Sequence, residues 1–323
     1  MKMINSNNLN PHVAIRLFNC YIKPIITYNC EVWGSCFFKG LLEKEETRYM
    51  KSFDKYPFEN IMTKFCKWIL GVNRYTSNCG SRAELGVYPI LFHIFKHTIN
   101  YLKHIPDSNN GILKAALEND KSLKSNSIFN TVSDILQFLN TKNTSTGISL
   151  TSPEKDIMNS LETNYQKSFF TFINIDKRDN PKQKNKLRTY RTFKTQYVYE
   201  DYLNIINNRS ILSKFARFRL SNHDLYIEKG RHLGIDANRR LCPFDCGKIE
   251  DEFHFFSECI CNDEVRSKFI EKHFLHENKG TPFTISYHDF TSCMSSHNST
   301  LLLDTALFVH RSLDIRKVTL QAL

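Results

Sequence analysis

The stretch RRLCPFDCGKIEDEFHFFSEC, Arg239–Cys259, decides how the C-terminal part of this chain folds. It places Cys242, Cys246, His254 and Cys259 in the spacing C-x3-C-x7-H-x4-C. Three thiolates and one imidazole complete a tetrahedral ligand set for Zn2+ and leave no position for water or substrate. The alternative, cysteines that merely pack as small apolar residues beside a surface histidine, is disfavoured because two short spacings and the right ligand types coincide. We therefore predict a structural zinc module over residues 239–262.

The local sequence explains how four ligands can meet at one point. Cys242 and Cys246 flank a Pro-Phe-Asp turn, and Gly247 lets the backbone leave the second sulfur in a left-handed conformation. A helix that begins near Glu250 and is distorted before Cys259 directs the last two ligands inward. Cys261 is a spare sulfur that competes for the metal, and the x4 spacing favours Cys259.

Composition and net charge limit the kind of partner and the cellular setting that we expect for this chain. The 323 residues are 41% hydrophobic and carry a net charge of +11, with a pI near 9.1, which favours nucleic acid over an anionic membrane surface as partner. The chain has ten cysteines, but its first residues lack the apolar run of a signal peptide. We therefore expect an intracellular protein of the nucleus or cytoplasm, not a secreted one. No segment approaches the roughly 20 apolar residues that cross a bilayer.

Positive charge is concentrated in the residues before the predicted zinc module at 239–262, which we call the knuckle. Residues 177–240 hold sixteen Lys and Arg against six Asp and Glu, which is +10 of the whole chain's +11. Aromatic residues, Tyr190, Phe193 and Tyr197, are interleaved with the cations, so phosphates and unpaired bases could both be bound. The alternative is a solvated helix face above core aromatics. The predicted nucleic-acid-binding residues are Lys182, Lys184, Lys186, Arg188, Arg191, Lys194, Arg217, Arg219, Arg231, Arg239 and Arg240.

Helical periodicity dominates the chain, and we predict a mainly α protein with two helical lobes, a small zinc-stapled knuckle and short β pieces. Strand-like alternation is confined to Leu225–Glu228 and the knuckle hairpin. The expected ranges are a helical region over 1–105, a poorly constrained connector over 106–160 and a basic domain over 161–323. The predicted helices are His12–Lys23, Phe58–Leu70, a helix capped by Ser81 and closed by Gly86, a helix from Pro89 through Leu102, Ile128–Leu139, a helix through Ile211–Phe218, Val265–Phe274 and Ser299–Lys317.

Several of these segments together resemble a known family. IKPIITYNCEVWG at 22–34, ENIMTKFCKWILGVN at 59–73 and ELGVYP at 84–89 resemble the part that follows the polymerase domain in reverse transcriptases of LINE-type retrotransposons. The later order, an Arg-x-x-x-His element at 219–223, Gly230-Arg231 and the C-C-H-C cluster, resembles their C-terminal region. The resemblance implies a thumb-like and linker-like helical region over 1–105, and it gives His223 no catalytic role. We predict that His223 is a structural or phosphate-contacting residue.

Catalytic motifs are missing from the sequence. Polymerases of that family need paired carboxylates for two metal ions, and this chain has no Asp-Asp pair. A P-loop, a G-x-S-x-G elbow and an H-E-x-x-H helix are also absent from the sequence. We therefore predict a noncatalytic protein that binds RNA or single-stranded DNA, has no small-molecule substrate, and lacks a polymerase portion found in longer proteins. The alternatives are a protein-interaction scaffold, a non-functional retroelement fragment and, more remotely, a degenerate endonuclease.

Overall fold

The computed structural model describes residues 9–123, 126–142, 147–175, 185–274 and 284–322. Over these ranges the chain is mostly helical, which confirms the predicted fold class. Two isolated antiparallel bridges, Leu85 with Tyr199 and Leu241 with Ile249, provide the β structure of the described residues. The helices are α1 Pro11–Leu17, α2 Lys23–Ile26, α3 Cys30–Trp33, α4 Glu46–Ser52, α5 Pro57–Leu70, α6 Asn78–Glu84, α7 Ile90–Asp107, α8 Gly111–Ser122, α9 Ile128–Lys142, α10 Glu154–Asn174, α11 Tyr190–Phe193, α12 Tyr202–Ile205, α13 Arg209–Arg219, α14 Tyr226–His232, α15 Glu252–Ser257, α16 Asp263–His273, α17 Tyr287–Met294 and α18 Ser299–Ala322.

The chain divides into two compact units that the linear sequence does not reveal. Unit 1 contains residues 1–15, 65–86 and 173–323, and unit 2 contains residues 16–64 and 87–172. This grouping differs from the expected ranges 1–105, 106–160 and 161–323. The expected connector holds α8, α9 and the start of α10, and α9 buries Val132, Ile135, Leu136 and Leu139. Periodicity identifies a helix and its apolar face, but it does not say which other helix covers that face.

Helix α7 is the central element of unit 2. Its buried residues include Ile90, Leu91, Ile94, Phe95 and Ile99, so apolar contacts surround most of the helix. Its N-terminus follows Pro89, which offers no capping side chain. The buried Glu59 carboxylate performs that task, accepting a hydrogen bond from the Leu91 amide at 2.8 Å. A carboxylate at this end of a helix satisfies a free amide and interacts favourably with the helix dipole.

Helix α18 organises unit 1. It packs against α12, α13, α16 and α17. The rings of Phe256, Phe269 and Phe308 meet with centroids 4.7 to 5.8 Å apart, an arrangement typical of aromatic cores. Helix α13 begins after Asn208, whose side chain accepts hydrogen bonds from the Ser210 and Ile211 amides. This framework positions the knuckle.

Three local predictions differ from the structure. The predicted helix His12–Lys23 is α1 followed by a π-helical turn, Phe18–Ile22, and by α2. The predicted capping box at Ser81 is wrong, because α6 begins four residues earlier, where Ser77 accepts a hydrogen bond from the Gly80 amide. The predicted strand Leu225–Glu228 lies mostly in α14. Leu225 and Ile227 are buried as the alternation predicts, but Glu228 is buried too, as the partner of an arginine.

Among the described residues, no helix combines the length and apolar character needed to span a membrane. All ten cysteines lie in the described ranges, and all ten are free thiols.

Candidate metal centre and basic surface

The first two predicted ligands are held by a tight hairpin. Leu241 and Ile249 form an antiparallel bridge, and the Cys242 amide donates to the Lys248 carbonyl at 2.8 Å. The chain reverses through two residues with positive φ, Asp245 at 56° and Gly247 at 67°. These left-handed conformations turn the backbone sharply enough to direct the sulfurs of Cys242 and Cys246 to the same side.

The other two ligands come from the short helix α15 and the residues after it. The Asp251 side chain accepts a hydrogen bond from the His254 amide at 2.8 Å and starts the helix. The Cys259 amide donates to the His254 carbonyl at 2.9 Å, so the helix ends in a turn that folds Cys259 back towards His254. This matches the predicted helix that is distorted before Cys259.

The four side chains converge. One ligand atom each from Cys242, Cys246, His254 and Cys259 lies within 4.8 Å of all the others. The Cys259 sulfur is 3.6 Å from that of Cys242 and 3.9 Å from that of Cys246. Donor atoms bonded to one zinc ion with tetrahedral geometry at about 2.3 Å are separated by about 3.8 Å. The geometry therefore fits a metal ion bound by three sulfurs and one nitrogen.

The imidazole is prepared for this role. Within the described residues, His254 Nε2 is buried and has no hydrogen-bond partner, an unusual state for a buried polar atom. Its other nitrogen, Nδ1, lies 3.2 Å from Glu258 Oε2. When Nδ1 carries the proton it donates to Glu258, and the lone pair of Nε2 is left for a metal. A carboxylate behind a ligating histidine is the usual support for such a ligand.

Burial keeps the cysteine sulfurs protonated until a bound metal ion displaces their protons. Burial raises the pKa of Cys242 well above its usual range. A hydrogen bond with Cys261, together with burial, raises the pKa of Cys259 to about 12. Several buried thiolates so close together would repel each other unless a divalent ion neutralised them, and metal binding releases their protons. Cys261 lies 3.3 Å from the Cys259 sulfur, but its own sulfur is directed to Asn262 Oδ1 at 3.4 Å.

The knuckle is fixed to the C-terminal helix by contacts that the sequence did not suggest. Leu320 of α18 packs against the cluster of Cys242, Phe244 and Cys259. Phe244 is only 8% exposed, so it supports the cysteines and is not a stacking surface. The fully buried Glu250 forms an ion pair with Arg316, in which Nε and Oε1 are 2.6 Å apart.

Four predicted phosphate-binding cations are instead part of the interior, which corrects the site list. Arg188 pairs with Glu228 at 2.5 Å and with Glu252 at 2.9 Å. Arg219, 1% exposed, bridges Glu84 at 3.1 Å and Glu200 at 2.5 Å. The other two are Lys194, which pairs with Glu200, and Arg240, which donates to the carbonyls of Ile227 and Ile235. These side chains compensate buried carboxylates and carbonyls, and they cannot reach a phosphate.

The aromatic residues predicted to stack on bases are also internal. Tyr190, Phe193 and Tyr197 are each at most 5% exposed. The His223 Nε2–H donates to the Glu252 carboxylate at 2.9 Å, which is consistent with a structural role. Although burial opposes ionisation, Arg188 and then His223 hold the pKa of Glu252 well below its usual range.

The remaining predicted cations lie at the surface or near it. Lys186 donates to the Tyr75 carbonyl at 3.0 Å, and Arg217 donates to the Gly71 carbonyl at 2.8 Å. Arg231 is partly exposed beside Glu228, Arg191 is half-buried, and Arg239 is exposed. Lys182 and Lys184 lie outside the described residues.

Sequence reasoning missed a surface of unit 1 that brings residues 74–75 together with Lys186 and Lys229. Tyr75 is 63% exposed, and the Arg74 guanidinium lies 4.7 Å from the centre of its ring. Tyr75 and Lys186 line a cleft of about 240 Å³ with Lys229 and His232. We call Arg74, Tyr75, Lys186 and Lys229 the Tyr75 surface. More than a hundred residues separate Arg74 and Tyr75 from Lys186 and Lys229 in the sequence, so no local pattern could have identified this surface.

Comparison of the chain with family models, with curated proteins and with solved structures finds no match. The resemblance to LINE-type reverse transcriptases is therefore carried by the quoted residues alone.

Proposed function

We propose that this chain is a noncatalytic zinc protein that binds RNA or single-stranded DNA through unit 1. The observation that carries the proposal is the Tyr75 surface, where an exposed ring lies beside Arg74, Lys186 and Lys229, in a cleft that Asp224 and Glu228 also line. Cations attract phosphates without regard to sequence, while an exposed aromatic face stacks on an unpaired base. This combination favours single strands, because the bases of a duplex are already stacked.

Zinc has a structural part in this proposal. Cys242, Cys246, His254 and Cys259 bind the ion, and no ligand position remains open for chemistry. The knuckle places Glu250 and Glu252 so that they pair with Arg316 and Arg188. Those pairs support α18 and the segment that begins at Lys186. Zinc thereby stabilises the Tyr75 surface without contacting it.

The interior acids of unit 1 support a noncatalytic role. A metal-dependent nuclease or polymerase holds its ions between carboxylates that face the substrate. Here Glu84 is fully buried, and the Arg219 guanidinium lies between Glu84 and Glu200, where such an ion would bind. The chemistry of this cluster is that of a buried ion-pair network. The resemblance adds that the chain corresponds to the region after a polymerase core, and a polymerase portion would then be its partner.

The direct test is a binding titration with fluorescein-labelled single-stranded RNA, single-stranded DNA and duplex DNA of equal length, followed by anisotropy at several salt concentrations. We expect binding to single strands that weakens steeply as salt rises. Absence of binding to every nucleic acid at low salt would refute the proposal and favour the protein-interaction scaffold.

A further inference from the structure

A second group of metal-ligating side chains lies in unit 2, where α3 and α7 approach each other closely. A Cβ added at Gly34 would lie 2.2 Å from Ile94 Cγ2, so no side chain fits at position 34. Glycine therefore allows the end of α3 to approach α7 closely. Because the two segments run in opposite directions, Cys30, four residues before Gly34, reaches His97, three residues after Ile94.

Three donor atoms meet at this crossing. The Cys30 sulfur, a Glu31 carboxylate oxygen and a His97 ring nitrogen all lie within 4.8 Å of one another. Ligands of one tetrahedral ion are about 3.3–3.8 Å apart, so side-chain movements of about 1 Å would complete the geometry. Cys30 is fully buried, Glu31 is half-buried and His97 is exposed, which gives the site an anchored side and an open side through which an ion can enter.

A fourth donor, His93, lies on the same helix, next to His97 but outside the group whose donor atoms are all within 4.8 Å of one another. His93 precedes His97 by one helical turn, and the centres of the two rings are 4.4 Å apart. Imidazoles four residues apart on one helix face can bind the same ion. A set of thiolate, imidazole and carboxylate suits Zn2+ far better than Mg2+ or Ca2+, which prefer oxygen ligands.

We propose that Cys30, Glu31 and His97, with His93 as fourth ligand, form a second zinc site that joins α3 to α7. This site is independent of the knuckle, since its ligands are all in unit 2. It binds zinc more weakly, because it offers one sulfur instead of three. The nearby positive charges of Lys23 and Lys96 also disfavour a cation at His93. Glu154 reduces this repulsion, because it pairs with Lys96 at 2.7 Å.

The test is zinc content per chain, measured by mass spectrometry on the full chain after dialysis against zinc-containing and then zinc-free buffer. We expect two zinc ions in the unaltered chain. A Cys30→Ser, His97→Ala variant should hold one, and a Cys242→Ser, Cys246→Ser variant should also hold one. His104→Ala changes another exposed histidine of α7 and should leave two.

The outcomes separate the two sites. One ion in the unaltered chain and none after the knuckle substitutions would overturn the second site and leave the knuckle intact. One ion in the unaltered chain that persists after the knuckle substitutions, but is lost with His97→Ala alone, would support the second site and overturn the knuckle. His97 is exposed, so this single variant tests the site even if the Cys30 substitution disturbs the core. Two ions retained by His97→Ala and by the double variant would also overturn it.

Discussion

The guanidinium of Arg316 lies on the carboxylate of Glu250, with Nε 2.6 Å from Oε1 and a second nitrogen 2.7 Å from Oε2. This two-point contact connects α18 to the residue that follows the knuckle hairpin, and Glu250 also accepts a hydrogen bond from the Tyr226 amide at 2.5 Å. The knuckle is therefore part of the framework of unit 1.

Arg316→Met should destabilise unit 1, because it leaves the buried Glu250 charge without its partner. Breaking a buried pair from one side costs about 3–5 kcal/mol. Urea unfolding followed by circular dichroism measures the loss, and Lys317→Met, at the exposed neighbouring position, is the matched control. Equal midpoints for the two variants would contradict the prediction.

Removing the first two sulfurs should abolish zinc binding at the knuckle. Cys242→Ser with Cys246→Ser leaves two ligands, too few for a stable structural site. Loss of one zinc ion per chain by metal analysis is the expected result. Cys261→Ser is the control: its sulfur contacts Cys259 and Asn262 but is not one of the four donor atoms that converge, so zinc content should not change. A Cys261 variant that loses the ion would show that Cys261 is a ligand.

Glu258→Gln should weaken zinc binding without removing a ligand. The carboxylate accepts from His254 Nδ1 and so orients the ring, and losing such a support typically lowers metal affinity about 10- to 100-fold. Competition with a chromophoric chelator measures the change. Glu264→Gln alters an exposed acid that pairs with Lys268, and it should retain full affinity.

The ion pairs of Arg219 with Glu84 and Glu200 should make the free energy of unfolding depend on pH. Burial opposes ionisation of Glu84, but Arg219 and then Lys194 lower its pKa below the usual range. A lowered pKa in the folded state adds stability above the unfolded value of about 4.3, and this stability is lost as pH falls through the folded value. Glu84→Gln lacks this contribution at every pH.

The free-energy difference between the unaltered chain and Glu84→Gln should thus be largest near neutral pH and shrink below about pH 4. Urea unfolding at a series of pH values measures it, and any acid-induced release of zinc affects both proteins alike. Glu118→Gln, at an exposed acid, should show no such trend. A difference that is constant with pH would argue against an ionised Glu84.

Tyr75→Ala should weaken binding to single strands by about 1–3 kcal/mol, the usual contribution of one stacked base. Lys186→Ala should reduce both the affinity and its dependence on salt, because one phosphate contact is lost. Anisotropy titrations measure both changes. Lys268→Ala, another exposed lysine of unit 1, is the control for loss of charge alone. Equal effects of Lys186→Ala and Lys268→Ala would mean that the Tyr75 surface is not the binding site.

Local features were predictable from the sequence. The helices Phe58–Leu70 and Ile128–Leu139 were identified within a few residues, since their apolar faces and end signals are written in adjacent residues. The four knuckle ligands were predicted for the same reason, because 18 residues contain them all. Each of these features depends on neighbours along the chain.

The predictions that failed concern residues whose contacts are made with residues far away in the sequence. Counting charge over residues 177–240 cannot distinguish Arg219, which neutralises Glu84 in the core, from Arg217, which is exposed. The partner is 135 positions away in the sequence. Likewise Tyr75 and Lys186 meet only after folding, so the exposed ring beside the cations had no signature in either segment.

The position of α18 has a consequence for the order in which the chain folds. The zinc ligands span only residues 242–259, a short loop whose closure costs little entropy. Arg316 and Leu320 are made more than fifty residues later. During synthesis the ribosome therefore releases a knuckle that can capture zinc while its buried Glu250 still faces water. Until α18 arrives, the nascent chain exposes the Glu250 carboxylate without its arginine partner, and the apolar cluster of the knuckle without Leu320.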